Sequence, residues 1–395
     1  MIYLDHYRTT PVLEAVVKKM TPFLREAYFL PESFTKRGTE AAEVIDQSNR
    51  VLLDAFNIED GEVVYTSGGT ASNNIVISGV LRDVDLREAH IVCTVIDHPS
   101  IVNTYEYYRK KGASVTFLKV DGNGLIDPEE LRKHIQTKTV LISLTHTNHT
   151  IGAIQPLEQL LPIIKEQNPK TRIHIDATMS LNAMALDLSQ LPIDFLTFSG
   201  HKIYGPKGVG AIVFRKSGPL KPILFGTVTT SPFSPGAENI PGIVGLSEAL
   251  RIATAQREAY LHKMRPLQER TIKRIESEIP DVVLNGPRPH PEGNLYTFSV
   301  KRAIDNINFS FRYVEGESIM MFLDFEDIIV ATGSACASSD LKVNYVLSAI
   351  GRDHEMAHGS LRITPGWGND EEQIDQMIDR LKPIVSRLRA QSTLR

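Results

Sequence analysis

The sequence predicts an α/β fold, with a mainly parallel sheet in a large domain and a smaller α+β domain beside it, on three observations. Short β-branched runs alternate with segments of helical periodicity from about residue 12 to residue 255. Beyond that point strands and helices mix in no fixed order. A chain of 395 residues, 42% hydrophobic and 23% charged, can hold two or three domains and is too ordinary in composition to be disordered, collagen-like or coiled-coil. The expected division is 12–255 for the large domain, and 1–11 with 256–395 for the small one.

Runs 62–66, 91–96, 114–119, 140–144, 173–175, 195–198 and 210–214 read as buried strands. Helices are expected at 72–81, 100–111, 128–134 and 156–166, the last two opening on proline. Asp121-Gly122-Asn123-Gly124 reads as a turn, since it lacks the GxGxxG spacing of a nucleotide loop. The stretch 217–242 is rich in Pro and Gly, and 245–278 reads as one long polar helix. Strands at 294–300, 306–313 and 328–331 then mix with helices at 316–323, 341–350 and 371–390, and the first residues of the chain are expected to pack on this second unit.

With 43 Lys and Arg against 47 Asp and Glu, the formal charge of -4 argues against nucleic acid or an acidic membrane as the main partner. A small neutral or zwitterionic substrate fits better. Two cysteines, Cys93 and Cys336, are too few for a disulfide framework, and no CxxC or Cys/His cluster offers a zinc site. No apolar run reaches bilayer length and residues 1–10 lack a secretory pattern, so the expected compartment is the cytoplasm.

Ligands of parallel α/β sheets bind beyond the carboxyl ends of the strands, and the residues there are polar and complementary. Ser67-Gly68-Gly69-Thr70 before a helix suits an anion such as phosphate, although by itself a plain βα turn is the better reading. Asp176 ends one strand and reads equally as a carboxylate ligand or as a helix N-cap. His98 follows another, in Asp97-His98-Pro99-Ser100, where a single histidine is more often structural than catalytic. Ser199-Gly200-His201-Lys202, then Gly205-Pro206-Lys207-Gly208, holds a lysine between a strand and a tight turn, which suits a Schiff-base amine better than a solvated charge. Phosphate cradle, carboxylate, imidazole and lysine together are the groups that pyridoxal phosphate requires.

On these motifs the chain resembles the cysteine desulfurases of the NifS and IscS type, in the class V aminotransferase group. The likeness extends through Tyr3-Leu4-Asp5, Thr9-Thr10-Pro11, Gly333-Ser334-Ala335-Cys336 and Ser360-Leu361-Arg362. It implies the pyridoxal-phosphate aminotransferase-like fold (fold type I), a homodimer, and conversion of L-cysteine to L-alanine. Lys202 would carry the cofactor as an aldimine, Asp176 would face its ring nitrogen, and His98 would stack on the ring as acid or base. Gly69, Thr70, Ser199 and His201 would hold phosphate, and Arg362 the substrate carboxylate. Cys336 would take the sulfur as a persulfide and pass it to an iron–sulfur scaffold or thiolation acceptor. It would also be the one candidate metal ligand, through a shared 2Fe-2S cluster, whereas Cys93 reads as core filler.

The chain departs from the family pattern near the cofactor. His149 and Met179 stand where amides are usual, Ala71 replaces a Glu, Ser234 an Arg and Ala237 a Thr, Trp367 follows Gly366, and residues 30–35 lack a histidine. These changes keep two other readings open: a degenerate desulfurase-like protein that binds a scaffold or shares a cluster with little turnover, and a C–S or selenocysteine lyase on the same fold.

Overall fold

A computed structural model describes residues 1–216, 218, 220–289, 301–333 and 344–392, and it places the polar strand ends along one edge of a large sheet. The chain begins with β1 (Ile2–Tyr3), α1 (Glu14–Arg25) and α2 (Lys36–Ala55). An alternating stretch follows: β2 (Gly61–Thr66), α3 (Gly69–Leu81), β3 (His90–Thr94), α4 (Pro99–Lys110), β4 (Ser114–Leu118), α5 (Pro128–His134), β5 (Thr139–Thr145), α6 (Leu157–Gln167), β6 (Arg172–Asp176), β7 (Phe195–Ser199) and β8 (Gly210–Arg215). Two long helices, α7 (Ile240–Ala255) and α8 (Arg257–Glu278), lead into β9 (Val282–Leu284), β10 (Ile307–Phe311), α9 (Gly316–Asp324), β11 (Ile328–Ile329) and β12 (Ala331–Thr332). The chain closes with α10 (Tyr345–Ala349), α11 (His354–His358), β13 (Ser360–Ile363) and α12 (Glu371–Gln391).

Among the described residues, seven strands form the large sheet in the order β2-β8-β7-β6-β5-β3-β4. All run the same way except β8, which is antiparallel to both of its neighbours. The reason is local. Only a short loop with a 3-10 turn separates β7 from β8, so no helix crosses over and the strand must return beside its predecessor. The carboxyl ends of β2, β3, β5, β6 and β7 therefore lie on one edge, with the start of β8 among them.

Both faces of this sheet are covered. Leu144, Leu160, Ile175 and Leu246 belong to one apolar layer, and Ile77, Cys93, Tyr105 and Phe195 to the other. A second core, with Leu4, Met264, Phe309, Leu361 and Leu381, packs the helices α8, α9 and α12 on the four-stranded sheet β12-β13-β10-β9. The first residues do join this unit, because β1 pairs in parallel with β11.

Three expectations are revised. The helix read at 245–278 is two helices meeting at Gln256, because α7 buries Leu246, Ala249 and Leu250 in the first core whereas α8 buries its apolar residues in the second. The strand read at 328–331 divides into β11 and β12, which pair with different strands in different sheets. The structure adds α1 and α2, which the sequence does not mark because their buried positions are sparse along polar stretches. The strand expected at 294–300 and the first part of the helix expected at 341–350 lie outside the described residues.

Local chemistry fixes several helix starts. His98 caps α4 by accepting from Ser100 N–H, with Pro99 in the first turn, where its missing N–H costs nothing. The Thr35 hydroxyl caps α2, and Asp370 caps α12 ahead of Glu371 and Glu372, which suit the positive end of the helix dipole. No helix among the described residues is long and apolar enough to cross a membrane.

Buried histidines set the acid stability. Burial holds the imidazoles of His146 and His174 down at about 4. An unfolded histidine titrates near about 6.5, so between roughly pH 6.5 and 4 the unfolded chain binds protons that the folded chain refuses. Stability is full above that window and falls through it, by on the order of 1.4 kcal/mol per pKa unit for each buried histidine. Asp97 offsets part of the loss, since burial raises its carboxyl to about 6 and the folded chain takes that proton first. The urea midpoint is expected to be flat above neutrality and to decline from pH 6.5 to 4.5; a midpoint constant across that range contradicts the assignment.

Candidate active site

A cavity of about 270 Å³ opens at the carboxyl edge of the large sheet, and its wall contains Gly69, Thr70, His98, His149, Asp176, Met179, Ser199, His201 and Lys202. Every residue expected to contact the cofactor therefore lies around one space. Asn73, Ser100, Thr145 and Thr178 line it as well and were not singled out by sequence.

The anion cradle is built from missing side chains. Gly68 has φ 145°, a conformation that favours glycine, and it lets α3 start directly at the cavity. A Cβ on Gly69 would sit 3.0 Å from Thr178 Oγ1 and 3.8 Å from Ser199 Cβ, so glycine keeps the gap between the helix start and those side chains open. The first backbone N–H groups of α3 have no intrahelical partners, and Gly69 and Thr70 line the cavity. Beside it His201 Nδ1 lies 2.8 Å from Ser199 Oγ, and burial, with lesser help from Lys202 and Lys207, lowers the His201 imidazole to about 4.

Asp176 ends β6 with its carboxylate held in place. Oδ2 accepts from Asn73 Nδ2 at 2.8 Å and Oδ1 from the Thr178 N–H at 2.9 Å. No described helix begins after it, so the N-cap alternative is set aside. Asn73 also donates to Ser100 Oγ at 2.9 Å, and that hydroxyl lies 2.8 Å from His98 Nδ1, so the carboxylate and the imidazole are joined through two side chains. The His98 ring is thus both a helix cap and a cavity wall. Its imidazole is held low, chiefly by burial, and stays neutral near pH 7.

Lys202 sits on the 3-10 turn Gly200–Lys202, and its ammonium donates to the carbonyls of Tyr7 and, at 2.8 Å, Arg8. His149 meets His98 edge to face, with ring centres 5.3 Å apart and planes at 76°. Burial first, then the neighbouring His98, Arg362 and Lys202, push its imidazole well down. Its Nδ1 is buried without a hydrogen-bond partner, and so is Thr178 Oγ1.

Arg362, on β13, does not line the cavity but stands next to it. Its Nη1 donates to the His149 carbonyl at 2.9 Å and its Nη2 to Asp5 Oδ1 at 2.8 Å. Cys336 lies outside the described residues. The residues bordering that segment are tied to each other, since Asn344 Nδ2 donates to the Gly333 carbonyl at 2.5 Å, and the Tyr345 hydroxyl donates to the Asp97 carbonyl at 2.8 Å, next to His98. Ser234 and Ala237 line a different cavity, of about 310 Å³, whose wall shares Ser67 with the first.

Comparison with known proteins finds matches along nearly the whole chain. The aminotransferase class-V family model matches residues 2–377. The chain is 37% identical to a protein of Dictyoglomus turgidum named cysteine desulfurase IscS, over 98% of this chain and 95% of that one. It is also 37% identical to cysteine desulfurase IscS 1 of Archaeoglobus fulgidus, over 100% of this chain and 99% of that one. Among solved structures, a NifS-like protein superposes with a TM-score of 0.88 at 28% identity, covering 98% of this chain and 99% of the other. SspA in complex with cysteine superposes with a TM-score of 0.77 at 25% identity, covering 93% and 99%.

Asn73 is the hinge of the polar wall, since it also accepts from Thr197 Oγ1 at 2.6 Å. Asn73→Ala strands a buried carboxylate oxygen and a buried hydroxyl, with an expected cost of about 1–3 kcal/mol in urea denaturation. Pyridoxal phosphate is expected to dissociate about tenfold more readily, the equivalent of losing one contact of ~1.4 kcal/mol. A fluorimetric titration that gives the wild-type dissociation constant removes Asn73 from the site.

Proposed function

The chain belongs to the aminotransferase class-V family, and on that premise we propose that it is a pyridoxal-phosphate-dependent cysteine desulfurase, acting on L-cysteine to give L-alanine. The observation that carries this reading is the convergence of Lys202, Asp176, His98 and the glycine cradle on one cavity. The residues fit the cofactor in kind. Gly68 and Gly69 leave room for a phosphate at a helix start, and Asp176 offers a carboxylate to a protonated ring nitrogen. Lys202 supplies an amine, and His98 a neutral imidazole.

When bound, the cofactor supplies an aldehyde that links to amines and a ring that takes up an electron pair from the neighbouring carbon. The protein supplies the remainder. Asp176, with its oxygens fixed by Asn73 and Thr178, holds the proton on the ring nitrogen. Lys202 gives up a proton to become a nucleophile, and its amine then serves as a local base. His98, kept neutral by burial, has a free lone pair that can accept a proton from the substrate, and the charge it then carries faces the Asp176 carboxylate. Arg362 takes the substrate carboxylate, for which a planar guanidinium is suited.

By resemblance, the thiolate of Cys336 attacks the substrate sulfur. An S–S bond forms as the C–S bond breaks, the carbon side keeps the bonding pair and gains a proton on the way to alanine, and Cys336 is left as a persulfide. Two equivalents of an external thiol then release that sulfur as sulfide, leave as a disulfide and restore the Cys336 thiol. The homodimer, the iron–sulfur scaffold or thiolation acceptor, the Cys336 cluster ligand and the cytoplasmic setting belong to the same reading.

Purified protein is expected to be yellow and to convert L-cysteine, with a thiol reductant, to equal amounts of alanine and sulfide. Lys202→Ala loses the colour and lowers turnover by roughly 10³-fold or more. Cys336→Ala keeps the colour and loses product, whereas a lyase that uses Lys202 as base keeps product. No alanine from protein shown to hold the cofactor overturns the desulfurase reading.

A further inference from the structure

The cation assigned above to the substrate carboxylate already has a carboxylate partner. Arg362 Nη2 donates to Asp5 at 2.8 Å and Nη1 to the His149 carbonyl at 2.9 Å, while Nε is buried with no hydrogen-bond partner. Only 14% of the arginine side chain and 7% of the aspartate side chain are exposed, so water does little to loosen the pair. An arginine has several rotatable bonds, and its fork receives a carboxylate well only in one plane. Two fixed acceptors on its terminal nitrogens define that plane.

The position of Asp5 is set from outside the cavity. Asp5 bridges to Thr364, two residues beyond Arg362. Leu4 N–H donates to the Ile329 carbonyl, and Thr364 N–H to the Leu4 carbonyl. On the other side the Tyr7 hydroxyl donates to the buried carboxylate of Asp305 at 2.8 Å. The segment carrying Asp5 is therefore fastened on both sides, and its carboxylate meets Arg362 at a fixed place.

We propose that Asp5 is a positioning residue for the substrate, holding the Arg362 guanidinium in the orientation that receives the α-carboxylate of the amino acid. The proposal rests on the assignment of Arg362 under Proposed function. It makes Asp5 act on substrate binding and not on the chemical step, because Asp5 touches the clamp and none of the reacting atoms. It also makes the effect specific to ligands that carry a carboxylate.

The test uses the holoenzyme with Asp5→Ala, Asp5→Asn and Asp5→Glu. KM and kcat are measured for L-cysteine, and the dissociation constant of cysteamine, which has the amine and thiol but no carboxylate, is read from the cofactor absorbance. Asp5→Ala is expected to raise KM about ten- to a hundredfold, the penalty of a misplaced binding group, with kcat within about threefold of wild type. Asp5→Asn, whose amide oxygen still accepts from Nη2, restores most of the affinity. Cysteamine binding is unchanged throughout. Should Asp5→Ala fail to fold, Asp5→Glu keeps the charge, displaces it by one methylene, and is expected to raise KM without affecting cysteamine. An unchanged KM in both Asp5→Ala and Asp5→Glu, or an equal loss for cysteamine, overturns the proposal. Arg362→Ala separates the two levels: if it leaves KM for cysteine unchanged, the clamp assignment itself is wrong.

Discussion

A carboxylate buried at the end of a central strand constrains everything around it. Asp176 is 3% exposed, and a carboxylate so far from water must have its oxygens met by hydrogen bonds. Asn73 meets it, and a side chain that does so must have its own remaining groups satisfied. The Thr197 hydroxyl therefore donates to Asn73 Oδ1, which leaves the Thr197 oxygen as acceptor for His174 Nε2 at 3.0 Å. His174 Nδ1 then accepts from Ser143 Oγ at 2.9 Å, and Ser143 in turn accepts from the Tyr105 hydroxyl at 2.8 Å. Each hydroxyl has one proton to give, so the direction of the chain fixes a single neutral tautomer of His174. Burial keeps the proton affinity of that ring low although Asp176 raises it, so the ring stays neutral and keeps its place in the chain.

The chain start plays the complementary part at the other wall. Residues 5–10 reach three site residues on two elements: Asp5 binds the Arg362 side chain on β13, and on the lysine turn the Tyr7 and Arg8 carbonyls receive Lys202 Nζ while Thr10 Oγ1 donates to the His201 carbonyl. Tyr204 N–H returns to Thr10 Oγ1, so the lysine turn and the strap are laced together. The buried Asp305, bonded by both the Tyr7 and Tyr260 hydroxyls, anchors the strap to α8 and the second core. Burial raises the Asp305 carboxyl, with the two tyrosine hydrogen bonds opposing that shift. The cavity thus takes one wall from the large sheet and is braced from the smaller one by a few residues of irregular chain.

Much of this was legible because it is local. A strand end followed by glycines, a carboxylate, an imidazole or a lysine is visible residue by residue, and all nine residues expected at the cofactor do surround one cavity. The long-range partners were not legible in the same way. Asn73 reads as one more polar residue on α3, and its value comes only from meeting Asp176 across 103 positions of sequence. Asp5 was visible in the family motif, but its partner is 357 residues away. The break at Gln256 also escaped, since neither Gly nor Pro marks it and only the existence of two separate cores explains it. The helices α1 and α2 were missed because their stripes are thin: Val16 is the one fully buried residue of α1.

The altered residues around the cavity change the hydrogen bonding of its wall. Met179 brings a thioether, which cannot donate a hydrogen bond, to a lining position. His149 is less simple. Its Nε2 lies 3.4 Å from the Tyr345 hydroxyl, whose single proton goes to the Asp97 carbonyl, so the tyrosine oxygen is the acceptor in that contact and the histidine proton sits on Nε2. Held neutral by its surroundings, the ring is left with a bare Nδ1, an acceptor where an amide nitrogen would have been a donor. Neither residue then gives a proton from that side, and the hold on an anionic, ring-protonated ligand shifts to the places where charge and geometry are intact. Those are the start of α3, the Asp176 carboxylate and Lys202. The network that fixes Asp176 therefore matters more here than in a site with a full set of donors, because fewer contacts share the work of keeping the ring in register.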